Sequence, residues 1–212
     1  MERRAFIRKI QTLSQSSYSQ SMHFAKQFTS YRLKKGESIR IEKEYLRSII
    51  FLAGGMLHQY QRQFQSSATS TINETIDILQ PGDFMLTAFD LQQYYIEVQA
   101  LENSQLMIAN LHPLQVKQEI SSSDLKIYLA IGEYQLMRQL AHIQLLKMPT
   151  ALARYNQLRI QFGKHLFLVP YQYQASYIGI SRKHLSRLNT IFLKNPIVQN
   201  ETEPNTDQHN ST

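Results

Sequence analysis

The sequence predicts an α+β chain: a β-sandwich or barrel first, then a long helix, then two short helices joined by a sharp turn. Three observations carry that expectation. Between residues 31 and 110, short β-prone runs recur with turn signals between them, at a spacing of about ten residues. Residues 125–147 form one uninterrupted helical pattern with two apolar stripes. Residues 169–193 read VPYQYQASYIGISRKHLSRLNTIFL, where Ala175 is followed four positions later by Gly179 and then by Ile180, Leu185 and Leu188. That is the spacing of a helix-turn-helix.

Composition bounds the answer further. A chain of 212 residues holds one large or two small domains, and 42% hydrophobic with 18% charged residues is ordinary for a soluble globular protein. There is no run of 18 apolar residues to span a membrane. The first residues, MERRAFIRKIQTLSQ, are basic but lack the apolar centre of a secretory signal, so a cytoplasmic location is expected. The absence of cysteine excludes disulfides, iron–sulfur clusters and thiolate zinc sites.

Taken in order, residues 1–29 are helical through Phe6, Ile7, Ile10, Leu13, Met22, Phe24 and Phe28, with a break in the Ser/Gln-rich centre at 14–21. Strand character begins at Tyr31-Arg32-Leu33, turns at Lys35-Gly36-Glu37 and resumes at Ile39-Arg40-Ile41. Further strands are expected at 46–52, 56–64, 71–79, 94–100 and 105–110, with a polar loop at 66–70. Leu114 opens helical territory. In the long helix, Leu129, Leu136, Leu140 and Ile143 make one stripe; Ile127, Ile131, Tyr134, Met137 and Leu145 make the other. A surface helix needs one stripe. Two suggest that one face packs on the barrel and the other on a second copy, the alternative being a helix buried in a single core. Pro149 ends the helix, and Thr150 caps another that runs to Phe162 and stops at Gly163. Residues 165–169 are expected to be extended, with Ile180 as the buried plug of the turn. Pro170 takes the first position of the next helix. The last residues, ETEPNTDQHNST, read as a disordered tail.

Charge is distributed unevenly. Residues 134–200 hold nine Lys or Arg and no Asp or Glu, whereas residues 1–133 net +1 and the last twelve net −3. A solvated helical face usually mixes signs, so a single-sign segment of this length is a footprint for a polyanion rather than an ordinary helical hairpin.

The order of barrel, long helix and basic helix-turn-helix resembles the Crp/Fnr family of bacterial transcription regulators. Leu79-Gln80-Pro81-Gly82-Asp83-Phe84 resembles the turn of that family's sensor barrel, and Phe51-Leu52-Ala53-Gly54-Gly55 resembles the glycine after an earlier strand. Arg154-Tyr155-Asn156-Gln157-Leu158 is similar to the family's RYxxL run. Ala175-Ser176-Tyr177-Ile178-Gly179-Ile180-Ser181, followed by Leu185-Ser186-Arg187-Leu188, is similar to its IASYLGIS…LSR form. The resemblance implies a β-roll (jelly-roll-like) sensor domain with its N-terminal helix at 1–113 and a dimerisation helix at 114–148. A winged-helix-type helix-turn-helix domain would then occupy 149–195, with the tail at 196–212.

It also implies a sequence-specific DNA-binding transcription regulator that acts as a homodimer through 125–147. Double-stranded DNA and RNA polymerase are the further partners, with no membrane partner. On that basis Ser181, Arg182, Lys183, His184, Ser186 and Arg187 fall on the recognition helix. Arg182 and Arg187 are placed for bidentate contacts to guanine O6 and N7. Lys164 and Lys194 lie outside it and are expected at phosphates. Many relatives carry an acidic residue where Lys183 stands, and the wing before the motif is reduced to about 165–169, so sequence preference and backbone contacts both differ here.

The sensor departs from the family's cyclic-nucleotide binders. Those place a Gly-Glu pair and an Arg-Ser/Thr-Ala run shortly after the Pro-Gly-Asp turn. Residues 85–95 here read MLTAFDLQQYY, with no Gly, Glu or Arg. A buried phosphate with no cation beside it is strongly disfavoured, so cyclic AMP is not the expected ligand. His58 and His112 read as structural or exposed rather than as ligands, and no cofactor is expected. Phe84, Phe89, Tyr94 and Tyr95 either line an apolar pocket or, as expected, pack the core. There is no His-x-His or His-Glu-x-x-His pattern, no Walker loop and no G-x-S-x-G elbow, so catalysis is not expected. The competing reading is a basic protein-interaction or ligand-binding module that meets an acidic partner or RNA without reading sequence.

Overall fold

In the computed structural model, which describes residues 2–41, 48–63, 72–87, 95–110 and 121–194, eight strands form two four-stranded antiparallel sheets. One sheet has the order β1-β8-β3-β6, built from Thr29–Leu33, Ser104–Asn110, Ser48–Gly54 and Phe84–Leu86. The other has the order β2-β7-β4-β5, built from Ser38–Arg40, Tyr95–Ala100, Leu57–Gln63 and Ile72–Leu79.

Strand β3 explains how the layers stack. Its sequence SIIFLAG is a continuous apolar run because both of its faces are covered. Ile50 and Leu52 point between the sheets, where they meet Leu57, Leu79, Val98 and Leu106. Ile49 and Phe51 point the other way, into a cluster with the helices. That cluster is built by α1 (Glu2–Ser14) and α2 (Tyr18–Ala25), which break where the Ser/Gln-rich stretch predicts. Gln15 turns the chain at φ 53°, and Ser17 and Gln20 form a reciprocal capping box. Phe6 then sits 4.5 Å from Phe28 and 5.0 Å from Phe51, ring centre to ring centre.

Strand β6 escapes sequence reading. It is three residues long, directly behind the Pro81-Gly82 turn, and too short to show a period. Pairing with β3 (Phe51 with Phe84, Ile49 with Leu86) makes it a strand. At Gly55 the backbone takes φ +88°, and a Cβ there would stand 2.8 Å from the Asn103 carbonyl oxygen.

Helix α3 (Ser122–Leu146) is capped by the Ser121 hydroxyl, and α4 (Ala151–Phe162) by Thr150, whose Oγ1 accepts from the Ala153 N–H at 3.1 Å. The expectation of an extended piece at 165–169 is corrected. Residues Gly163–Leu168 form a 3₁₀ helix, and no strand follows β8 among the described residues. Gln174 Nε2 donates to the carbonyls of Leu166 and Val169 (3.1 and 2.7 Å). Those bonds satisfy backbone oxygens that a neighbouring strand would otherwise take. Helices α5 (Tyr171–Tyr177) and α6 (Arg182–Lys194) follow, with Pro170 just outside α5 as its N-cap rather than inside it.

Expectations for 42–47, 64–71, 88–94, 111–120 and 195–212 lie outside the described residues. Those stretches include the proposed opening at Leu114, His112, Phe89, Tyr94 and the tail.

Candidate nucleic-acid interface

The pair α5 and α6 is set by five residues that the sequence singles out. Ala175 is buried where the helices meet, and its carbonyl accepts from the Ile180 N–H at 2.9 Å. Gly179 makes the turn at φ +64°, a conformation that costs glycine little. Ser181 Oγ accepts from the His184 N–H at 3.2 Å and caps α6. Leu185 and Leu188 face the core. The expected plug, Ile180, is only half-buried against that core; Ile178 is the fully buried one.

Ser181, Arg182, Lys183, His184, Ser186 and Arg187 are all exposed. The ion pairs at Asp77, Asp83 and Glu97 lie elsewhere, and none of them involves a cation of this face. Lys164 is exposed on the 3₁₀ helix; Lys194 is the last residue of α6, and its side chain lies outside the described set.

Contacts between residues distant in the chain hold this pair in place, and the sequence does not announce them. Tyr155 OH donates to Asn189 Oδ1 (3.2 Å), and Asn189 Nδ2 donates to Tyr171 OH (2.6 Å), which ties α4, α5 and α6 together. Helix α5 also packs on the second sheet. Tyr173 stacks on His58 of β4 at 3.7 Å and donates from its hydroxyl to Gln99 Oε1 of β7 at 3.3 Å. The Thr75 N–H of β5 donates to Ser176 Oγ at 3.0 Å. From α3, His142 stacks on Tyr177 at 3.9 Å.

Arg138, counted by sequence within the basic footprint, is removed from it. It lies 2.9 Å from both Asp77 and Asp83, with Tyr134 OH donating to Asp83 Oδ1 at 2.6 Å. Burial raises the Asp77 carboxyl above its ordinary pKa, and the Arg138 charge opposes that rise.

No protein-family model matches the chain, and no curated protein matches it in sequence. Solved structures do. FixK2 from Bradyrhizobium japonicum superposes with a TM-score of 0.62 at 17% identity, over 80% of this chain and 86% of that one. CLP from Xanthomonas campestris, described as a c-di-GMP responsive global regulator, gives 0.60 at 12% identity over 85% and 94%. TTHA1359 from Thermus thermophilus, a transcriptional regulator of the CRP/FNR family, gives 0.54 at 12% over 79% and 87%. This chain has the Crp/Fnr regulator fold.

Within the Crp/Fnr fold, α3 shows the two-sidedness that its stripes predict. Ile127, Ile131 and Leu145 are buried, and Tyr134 is half-buried against the first sheet and α1. Leu129 (66% exposed), Leu136 (58%), Leu140 (42%) and Ile143 (47%) are left open. Met137 departs from its predicted stripe and joins the open face at 59%. At 3.6 residues per turn it stands about 60° from both Tyr134 and Leu140, on the border between the two stripes.

Phe84 packs the core as expected, rather than lining a pocket, 4.9 Å from Phe51 and 5.9 Å from Phe6. His58 is fully buried, and no group of three metal-ligating side chains occurs among the described residues. No helix of the described residues is long and apolar enough to cross a membrane.

Proposed function

We propose that this chain is a sequence-specific, double-stranded-DNA-binding transcription regulator, acting in the cytoplasm as a homodimer through α3. In this reading 1–113 is the sensor, 114–148 the dimerisation helix and 149–195 the DNA-binding domain, with RNA polymerase as a further partner. Helices α5 and α6 are its helix-turn-helix, in a winged-helix-type domain whose wing has become the 3₁₀ helix. The observation that carries the reading is the basic face of α6: a capped helix presenting Arg182, Lys183, His184, Ser186 and Arg187 to solvent on a Crp/Fnr fold. A helix of this kind reads base edges with its first turns. The open stripe of α3 supports pairing of two such helices.

Base reading and charge attraction separate by mutation. Arg187→Ala is expected to cost about 1–3 kcal/mol on the cognate site and to relax preference at one position per half-site. Lys164→Ala is expected to weaken all DNA about equally and to lower the salt slope by about one unit for each phosphate it no longer neutralises. Equal weakening of cognate and random DNA by Arg187→Ala would overturn base reading and favour the basic interaction module.

The effector is expected not to be a cyclic mononucleotide. Neither cyclic AMP nor cyclic GMP should move the melting temperature or DNA affinity. A ligand at a hundredfold excess over its Kd would add about 2.7 kcal/mol, which a thermal melt detects readily.

A further inference from the structure

Strand β5 is an edge strand of the second sheet, and its outer edge is covered by α5. A register shift between Gln59 and Tyr60 on β4 places Tyr60 opposite Thr75 and Gln59 opposite Asp77. Beside that irregularity, the Thr75 N–H finds its acceptor on α5, at Ser176 Oγ. One imidazole stands at the centre of this packing. His58 lies between two tyrosines, with Tyr173 of α5 at 3.7 Å and Tyr60 of its own strand at 5.0 Å, both nearly parallel to it.

His58 Nε2 is 2.9 Å from Thr75 Oγ1, while Nδ1 is buried with no hydrogen-bond partner among the described residues. A neutral imidazole has one N–H and one bare lone pair, and this site suits it. An imidazolium has two N–H donors, and the site offers one acceptor.

We propose that His58 is a proton-operated latch: neutral, it holds α5 against the barrel, and protonated, it releases α5 and the helix that α5 carries. The groups facing His58 offer it no counter-charge. Tyr60, Thr75, Tyr173 and Ser176 are neutral. Glu97 is held by Tyr60, Arg62 and Arg40, and Asp77 by Arg138; His142 is stacked on Tyr177. Burial accordingly lowers the pKa of His58 from 6.5 to about 4. The tyrosine faces attract a cation and return part of that cost.

In the released state His58 is solvated and titrates near its ordinary value. Closure is therefore fully favoured above pH 6.5 and weakens about tenfold for each unit below it, levelling off near the docked value. Joined to the DNA-binding reading, this makes acid an effector of the helix pair, but the latch itself is tested without DNA.

The test is amide hydrogen exchange on the full chain, residue by residue, corrected for the intrinsic rate at each pH. The Thr75 amide reports the latch. The Leu52 amide, bonded to the Asp83 carbonyl inside the barrel, reports global opening. Thr75 protection is expected to be flat above pH 6.5 and to fall by up to roughly 300-fold towards pH 4 while Leu52 stays protected. Tyr173→Ala should expose Thr75 at every pH and leave Leu52 protected. His58→Gln should make Thr75 protection independent of pH over the window, with His58→Phe as the second non-titrating variant should the first not fold. The latch is overturned if Thr75 and Leu52 lose protection together, if Thr75 protection is flat in the wild type, or if the same fall persists in the non-titrating variants. Failure of sequence-specific DNA binding would leave each of these outcomes unaltered.

Discussion

Replacing Leu136 and Leu140 together by Glu is expected to turn a dimer into a folded monomer and to lower affinity for the cognate DNA by about 10²–10⁴-fold. Both side chains are open to solvent in the single chain, at 58% and 42%, so the charges cost its fold little. At a helix–helix interface each would bury an unpaired carboxylate and forfeit about 1.5–3 kcal/mol of apolar burial. The DNA effect exceeds that of removing any one side chain from the interface, because two linked recognition helices bind the second half-site as an intramolecular event. Sedimentation at micromolar concentration checks the first part and a titration with cognate duplex the second. A wild type that is already monomeric there would refute pairing through α3.

The largest effect on stability is expected at Arg138. Its guanidinium joins α3 to Asp77 of β5 and to Asp83 in the turn before β6. Arg138→Met keeps much of the apolar stem but leaves two carboxylates facing each other in a buried place. Removing one partner of such a group costs about 3–5 kcal/mol. Urea unfolding measures this directly, and Asp77→Asn added to Arg138→Met should restore part of the loss, since the two changes share one interaction.

The pH dependence has a definite sign. Burial already raises the Asp77 pKa, and loss of the arginine removes the charge that opposes the rise. A carboxyl whose folded pKa is raised stabilises the fold in its protonated form, so the deficit of Arg138→Met should be smallest in acid, grow as pH rises towards that pKa and level off above it. A deficit that is the same at every pH over which the fold persists would show that the carboxylates are not the source.

What the sequence conveys well here is periodic or conformational. The Ala175–Gly179–Leu185–Leu188 spacing, the Ser181 and Thr150 caps and, Met137 apart, the stripes of α3 each follow from a local rule and are found where the rule places them. What it conveys poorly depends on partners distant in the chain. Strand β6 exists because β3 is beside it. The 3₁₀ helix at Gly163–Leu168 is tied at its end by Gln174, which donates to the carbonyls of Leu166 and Val169. Arg138 looks like one more cation of a basic stretch until Asp77 and Asp83, more than fifty positions earlier, are seen against it. His58 is the sharpest case: as a lone histidine it carries no motif, and only the packing of α5 on β4 and β5 gives it a role. Sequence likewise identifies which cations lie on α6 but not which are free, since that depends on acids elsewhere in the fold.

The claim that this protein reads DNA sequence as a dimer is tested most directly by selection from random genomic fragments against excess nonspecific duplex, followed by footprinting of the enriched fragments. The account predicts a protected site with two-fold symmetry, its half-sites about 10–10.5 base pairs apart centre to centre or a multiple of that. Enrichment that follows length or charge alone, with no symmetric footprint, would contradict it.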